Sequence, residues 1–208
     1  MDTLNKDELS VVVMNLDLPT LLNLCESSKE LKAKVCNNPN VWNYKLEKDY
    51  PEYKELDLSF LSPYSPREMY VFMYQLDYIK KFLNTNESLK DVFLKKELNL
   101  NNKNLKKVPA FHLPNLQYLY LGNNQLTEVP EFNLPKLQVL SLKDNQLIKV
   151  PIFNLPNLVA LYLQNNQLTE VPEFNLPKLH NFLLFDNNNL TERSKTELKE
   201  RYGNKVKL

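Results

Sequence analysis

Few residues of this 208-residue chain have the types and spacing that chemistry needs. His112 and His180 are its two histidines, and neither shares a motif with a serine, cysteine or carboxylate that would make a nucleophilic or acid–base pair. The two cysteines, Cys25 and Cys36, lack metal-ligand spacing and do not read as a disulfide framework. Cys25 has no partner histidine in any motif, so it reads as a buried helical thiol in a reducing compartment. Two glycines in the whole chain exclude Gly-rich phosphate loops. The expectation is therefore a non-enzymatic protein with no cofactor and no metal. What remains is recognition. Tyr118, Tyr120 and Tyr162, near the small residues Ser141 and Ala160, offer aromatic surface of the kind enriched where proteins bind proteins.

Those tyrosines lie in a stretch that repeats itself. Asn123 to Leu137 reads NNQLTEVPEFNLPKL, and Asn165 to Leu179 repeats it letter for letter. Between them, Asp144 to Leu158 reads DNQLIKVPIFNLPNL. Leu116, Leu137, Leu158 and Leu179 open successive units with a period of 21 residues. Further ladders run in step: Leu119/Leu140/Leu161/Phe182, Leu121/Leu142/Leu163/Leu184, Asn124/Asn145/Asn166/Asn187, Val108/Val129/Val150/Val171 and Phe111/Phe132/Phe153/Phe174.

Each unit opens on strand alternation. In Leu116 to Leu121, residues 119 and 121 point one way and residues 118 and 120 the other. One short strand cannot bury its apolar face alone, whereas stacked units share a continuous core under a parallel sheet. The asparagine falls where the strand ends, and its amide can pair backbone groups that a buried turn would leave without partners. The return half carries two prolines per unit, which excludes a long helix there and predicts extended or single-turn segments. Valine, phenylalanine and the later leucine fill the back of the core. This period, with this leucine and asparagine spacing, is the signature of a leucine-rich repeat solenoid. The expected fold is α/β: a short parallel sheet, no regular convex helices, and an all-α region before it.

The outward strand positions predict a concave binding face. Its candidate contacts are Tyr118, Tyr120, Ser141, Lys143, Ala160, Tyr162, Gln164, Leu183 and Phe185. The inward ladders hardly change between units, whereas these positions differ in every one. The face carries little charge, Glu97 and Lys143 at its middle, so the expected ligand is a protein rather than a nucleic acid. The balance of 26 Lys+Arg against 25 Asp+Glu, net +1, agrees.

Upstream, apolar residues recur at helical spacing. Asp7 to Met14 predicts a short helix, Thr20 to Cys25 a second, Lys29 to Val35 a third capped by Ser27 or Ser28, and a fourth starts near Val41-Trp42. Leu4-Asn5-Lys6-Asp7, Val12-Val13, Leu16-Asp17-Leu18-Pro19-Thr20-Leu21 and Asn38-Pro39-Asn40-Val41-Trp42 follow one another in an order that resembles the F-box. Against that family's pattern, Asn5 replaces a proline and Asp7 a glutamate, while Ser28 and Leu31 stand where cysteine and tryptophan are usual. The resemblance implies docking onto a Skp-family adaptor, and through it onto a cullin ubiquitin ligase. Leu4, Asn5, Leu9, Leu16 and Pro19 would contact or support that adaptor. The near-identical short repeats and Asn/Lys-rich composition also resemble F-box/LRR proteins of large DNA viruses, whose ligase partner would belong to the host.

Ser65-Pro66-Arg67-Glu68 fits a capping box with proline at the first helical position, ahead of a helix to about Phe82 that is expected to lie between the two halves. A short helix is expected within Ser88 to Leu94. Thr191 is a candidate N-cap for Glu192 to Tyr202, with Gly203 just beyond, and Val206 and Leu208 could fold back on the last repeat. The expected domains are an F-box-like region 1–55, a helical linker 56–94, repeats 95–190 and a C-terminal cap 191–208. About 18 residues after the repeats are too few for an appended ligase domain. No secretory signal or membrane span is read, so an intracellular, cytoplasmic or nuclear protein is expected. The reading is a monomer within a hetero-complex that presents a target protein for ubiquitination. Its rival is a scaffold whose N-terminal helices only cap the solenoid.

Overall fold

The computed structural model describes residues 14–58, 65–187 and 189–208. The chain divides into two compact units, one ending at Val92 and one spanning Phe93–Leu208.

In the first unit, α1 (Leu18–Ser27) starts on Asp17, whose carboxylate accepts from Thr20 N at 2.9 Å, with Pro19 in the first turn. α2 begins as one turn, Lys29–Leu31, capped by Ser28, and continues as a single π turn, Lys32–Cys36. α3 (Pro39–Asp49) starts on Asn38, and a short 3-10 turn follows at Pro51–Glu55. α4 (Pro66–Leu83) opens on the expected capping box: Glu68 N donates to Ser65 Oγ, and Ser65 N donates to Glu68 Oε2. It closes on Asn84 in the left-handed region. α4 belongs to this unit and packs on α3, burying Tyr70, Phe72, Met73, Leu76 and Ile79. Trp42 is buried too, its indole N–H donating to the Cys36 carbonyl at 2.8 Å and its ring 5.6 Å from that of Tyr70.

The cysteines correct the sequence reading. Cys25 on α1 and Cys36 at the end of α2 are joined by a disulfide, with Cα atoms 6.0 Å apart. The turn at Ser28 folds the two segments side by side, which a sequence separation of 11 does not reveal. Cysteine usage therefore no longer argues for a reducing compartment.

The second unit is a six-stranded parallel sheet in the order β1 (Glu97–Asn99), β2 (Tyr118–Tyr120), β3 (Val139–Ser141), β4 (Ala160–Tyr162), β5 (Asn181–Leu183), β6 (Val206–Lys207). It is preceded by α5 (Leu89–Leu94). The register repeats every 21 residues, as in Leu98↔Leu119, Leu119↔Leu140 and Leu140↔Leu161. Leu119, Leu121, Leu140, Leu142, Leu161, Leu163 and Phe182 are wholly buried beneath it. Behind them Phe111, Phe132, Phe153 and Phe174 stack at centroid distances of 5.9, 6.2 and 5.5 Å. The proline-bearing returns form no helix, as Pro109 through Pro177 predict.

The asparagine ladder is what lets the strands end in buried turns. Asn145 Nδ2 donates to the carbonyls of Leu121, Leu142 and Lys143 at 3.0, 3.0 and 3.1 Å, and its Oδ1 accepts from Leu126 N at 3.1 Å. Asn124 and Asn166 repeat this pattern one unit away on either side. The residue before each rung, Asn123, Asp144, Asn165 or Asp186, holds φ between 54° and 58°. Asn and Asp tolerate that left-handed conformation better than other non-glycine residues.

α6 (Glu192–Tyr202) closes the far end. Thr191 caps it and Gly203 follows with φ of 53°. Tyr202 packs edge-on against Phe182 at 5.3 Å, and its hydroxyl accepts from Phe174 N. Val206–Lys207 then adds a sixth strand, pairing with Phe182 and Leu183, so the last repeat does not present an open edge.

Candidate protein-binding face

Strand alternation places Tyr118, Tyr120, Val139, Ser141, Ala160, Tyr162, Asn181 and Leu183 opposite the leucine core. Register aligns Tyr120 with Ser141 and Ser141 with Tyr162, so two phenols stand on alternate strands with a small residue between them. All three tyrosines are half-buried, Leu183 likewise, and Phe185 is exposed. Tyr118 and Tyr162 are tethered laterally: the Tyr118 hydroxyl donates to Gln138 Oε1 at 3.5 Å, and Asn181 Nδ2 donates to the Tyr162 hydroxyl at 3.4 Å.

Three of the expected contacts are not exposed. Ser141, Ala160 and Gln164 are 3%, 6% and 9% accessible, so these candidate contacts lie beneath the face rather than standing out from it. Ser141 lies between Tyr120 and Tyr162 on the neighbouring strands and is shaded by them, whereas Ala160 stands between Val139 and Asn181. Gln164 is less easily explained. Its Oε1 is the one buried side-chain nitrogen or oxygen among the described residues without a hydrogen-bond partner.

Lys143 lies flat. Its Cγ stands 3.1 Å from where a β-carbon on Gly122 would be, so the absence of a side chain at 122 is what admits the lysine stem. Its Nζ reaches Asp144 Oδ2 at 3.7 Å. Gly122 N donates to Asn101 Oδ1 at 2.7 Å on the other side. Burial, and then the nearby Glu97 carboxylate, raise the Tyr120 phenol above its usual pKa.

The sequence of residues 96–134 and 135–176 matches the family described as "Leucine Rich repeats (2 copies)". This part of the chain consists of leucine-rich repeats. Among solved structures, the chain is similar to YopM from Yersinia enterocolitica WA-314, with 31% identity, 66% of this chain covered and a TM-score of 0.41. The match covers 28% of the length of that protein. No curated protein matches the sequence. Leucine-rich repeats are an architecture for binding proteins along an extended sheet face, and the tyrosines lie on that face. Among the described residues no group of acidic, histidine and cysteine side chains could hold a metal, and no helix is long and apolar enough to cross a membrane.

Of the residues assigned to the adaptor contact, Leu4, Asn5 and Leu9, with the helix expected from Asp7, lie outside the described residues. Leu16 is half-buried and Pro19 exposed in the first turn of α1. The segment holding Leu16 is anchored by two lysines that sequence reading passed over. Lys45 is 1% accessible; its Nζ donates to the Leu16 carbonyl at 2.9 Å and lies 3.1 Å from Asp49 Oδ2. Tyr70 donates to the same Asp49 oxygen at 2.7 Å, so the buried ammonium and the more exposed carboxylate share one network. Lys48 donates to Asn15 Oδ1 and the Met14 carbonyl at 2.9 and 3.1 Å. The signal was present: Lys45 occupies the same helical stripe as Val41, Trp42 and Leu46, all buried on α3.

Proposed function

We propose that this protein is a non-catalytic substrate-recognition adaptor of a cullin-type ubiquitin ligase. On this reading the N-terminal helices dock on a Skp-family adaptor, and the open face of the leucine-rich repeats holds a target protein. The observation that carries the binding half is the contrast between the two sides of one sheet. Inward positions repeat Leu119, Leu140 and Leu161, while the outward ones run Tyr120, Ser141, Tyr162. A face kept only for solvent has no use for half-buried tyrosines. The mechanism is proximity: no residue of this chain reacts, and the bound target is held for a separate enzyme.

The docking half draws on the F-box-like order of residues, with Leu16 and Pro19 ahead of and within the first turn of α1 and Trp42 in the core. It places the protein inside the cell as a monomer within a hetero-complex. Co-purification of the full-length chain with a Skp-family adaptor tests it. Capture is expected for the wild type and lost for a Leu9→Asp, Leu16→Asp double variant whose Trp42 fluorescence remains native. A folded wild-type chain that retains no such adaptor would remove the ligase assignment and leave an interaction scaffold.

A further inference from the structure

The return segment of one repeat differs from its neighbours in a way the core does not require. Residues 123–137 and 165–179 are identical, whereas residues 144–158 depart from them on the return. Thr127 and Thr169 give way to Ile148, Glu128 and Glu170 to Lys149, and Glu131 and Glu173 to Ile152. The core beneath is unchanged, with Leu147, Val150 and Phe153 buried like their counterparts. Both isoleucines point outward, 52% and 62% accessible. The chain holds one more isoleucine, Ile79, and that one is buried. The segments on either side take the same course with threonine and glutamate at these positions, so the fold gives no reason for exposed isoleucine. Apolar surface kept in water where a charge is tolerated marks a place to be covered.

The surroundings of Ile152 specify what covers it. Phe132, Phe153 and Phe174 directly follow Glu131, Ile152 and Glu173 in sequence, and their rings stack at 6.2 and 5.5 Å. The three outward side chains therefore form a row with a repeat of about 6 Å, in the order carboxylate, aliphatic, carboxylate. Both glutamates are exposed, and neither is in an ion pair with another described residue. Arg201 lines the same cavity as Glu173, but its guanidinium pairs with Glu197 at 3.9 Å. Lys149 falls in a separate row, between Glu128 and Glu170. An extended peptide presents alternate side chains on one face about 6.6 Å apart, close to the spacing of this row. The two carboxylates repel a nucleic acid or an anionic membrane. They match an extended segment bearing a cation, an aliphatic side chain and a cation at alternate residues.

We propose that Glu131, Ile152 and Glu173 form a docking row for such a segment of a partner protein. Its aliphatic side chain lies over Ile152 and its two cations over the glutamates. The row is built from return segments, whereas the tyrosines stand on strands, so it is a second site and does not depend on the reading of the tyrosine face.

The test is a methyl NMR titration of the full-length chain with the peptide Ser-Gly-Lys-Ser-Leu-Ser-Lys-Gly-Ser. This peptide is expected to shift the Ile152 methyl signals saturably and to leave those of Ile79 in place. Exchanging both its lysines for glutamate should weaken binding at least about tenfold, and exchanging its leucine for serine about fivefold. Ile152→Ala adopts the side chain that Ala110 has at the same place in the first repeat, so the unfolding midpoint should not move. It should weaken binding of the labelled peptide about fivefold by fluorescence anisotropy. Glu131→Gln combined with Glu173→Gln should weaken it about tenfold and remove most of its salt dependence. Absent binding, equal binding of either altered peptide, or indifference to Ile152→Ala would overturn the proposal. Ile152 shifts that grow with protein concentration alone would also overturn it, and would give the row to a second copy of this chain.

Discussion

Asn145 reaches back 24 residues to donate its side-chain amide to the carbonyl of Leu121 at 3.0 Å, bonding one repeat to the one before it. The same amide group satisfies its own turn through Leu142 and Lys143, and its oxygen takes the Leu126 N–H. Replacing Asn145 with alanine leaves the buried Leu126 N–H without its partner and takes one of two donors from the Leu121 and Leu142 carbonyls, which Asn124 and Asn166 still bond. We expect Asn145→Ala to lower the unfolding free energy of the repeats by about 1–3 kcal/mol, read by denaturant titration followed by circular dichroism. An unchanged midpoint and slope would mean the ladder is dispensable.

Lys45 plays the comparable part in the helical unit. Lys45→Met preserves the stem but withdraws the donor from Leu16 and the partner from Asp49. The expected loss is about 1–3 kcal/mol. Trp42, the single tryptophan, is packed on Tyr70 in the same unit and reports on it directly. A Trp42 fluorescence transition at the wild-type denaturant concentration would show that the buried ammonium contributes nothing.

His112 sets a pH dependence whose sign follows from its surroundings. Burial lowers its pKa below the usual 6.5, and Asn133 Nδ2 lies 3.1 Å from its Nε2, a contact that suits the neutral ring. The folded state therefore takes up this proton less readily than the unfolded chain. The stability tied to the neutral ring is fully present above pH 6.5 and is lost as pH falls through the lower folded pKa. Measured against His112→Gln, wild-type stability should decline between pH 7.5 and pH 5. A wild-type-minus-variant difference that is flat or grows on acidification would contradict this.

How much of this was legible in the sequence varied with the range of the interaction. The solenoid could be read because its core is written as ladders of identical letters, and the caps at Ser65, Thr191 and Gly203 because each acts within a few residues. Features made by neighbours distant in sequence could not. Ser141 is covered by Tyr120 and Tyr162 one strand away on either side, at positions 21 residues distant. Cys25 and Cys36 meet only because α1 and α2 fold together. Lys45 falls on an apolar stripe, where a lysine ordinarily extends its head to solvent, and only the carbonyl of Leu16 above it shows otherwise. β6, two residues long, is too short to show alternation at all.

The central claim is that the tyrosine-bearing side of the repeat sheet holds a protein. Quantitative affinity capture from the native cell, comparing the wild-type chain with the Tyr120→Ala, Tyr162→Ala variant, tests it most directly. The account predicts that proteins retained by the wild type disappear from the variant, while its unfolding free energy stays within about 1 kcal/mol. Retention of the same proteins at the same level by a fully folded variant would contradict it.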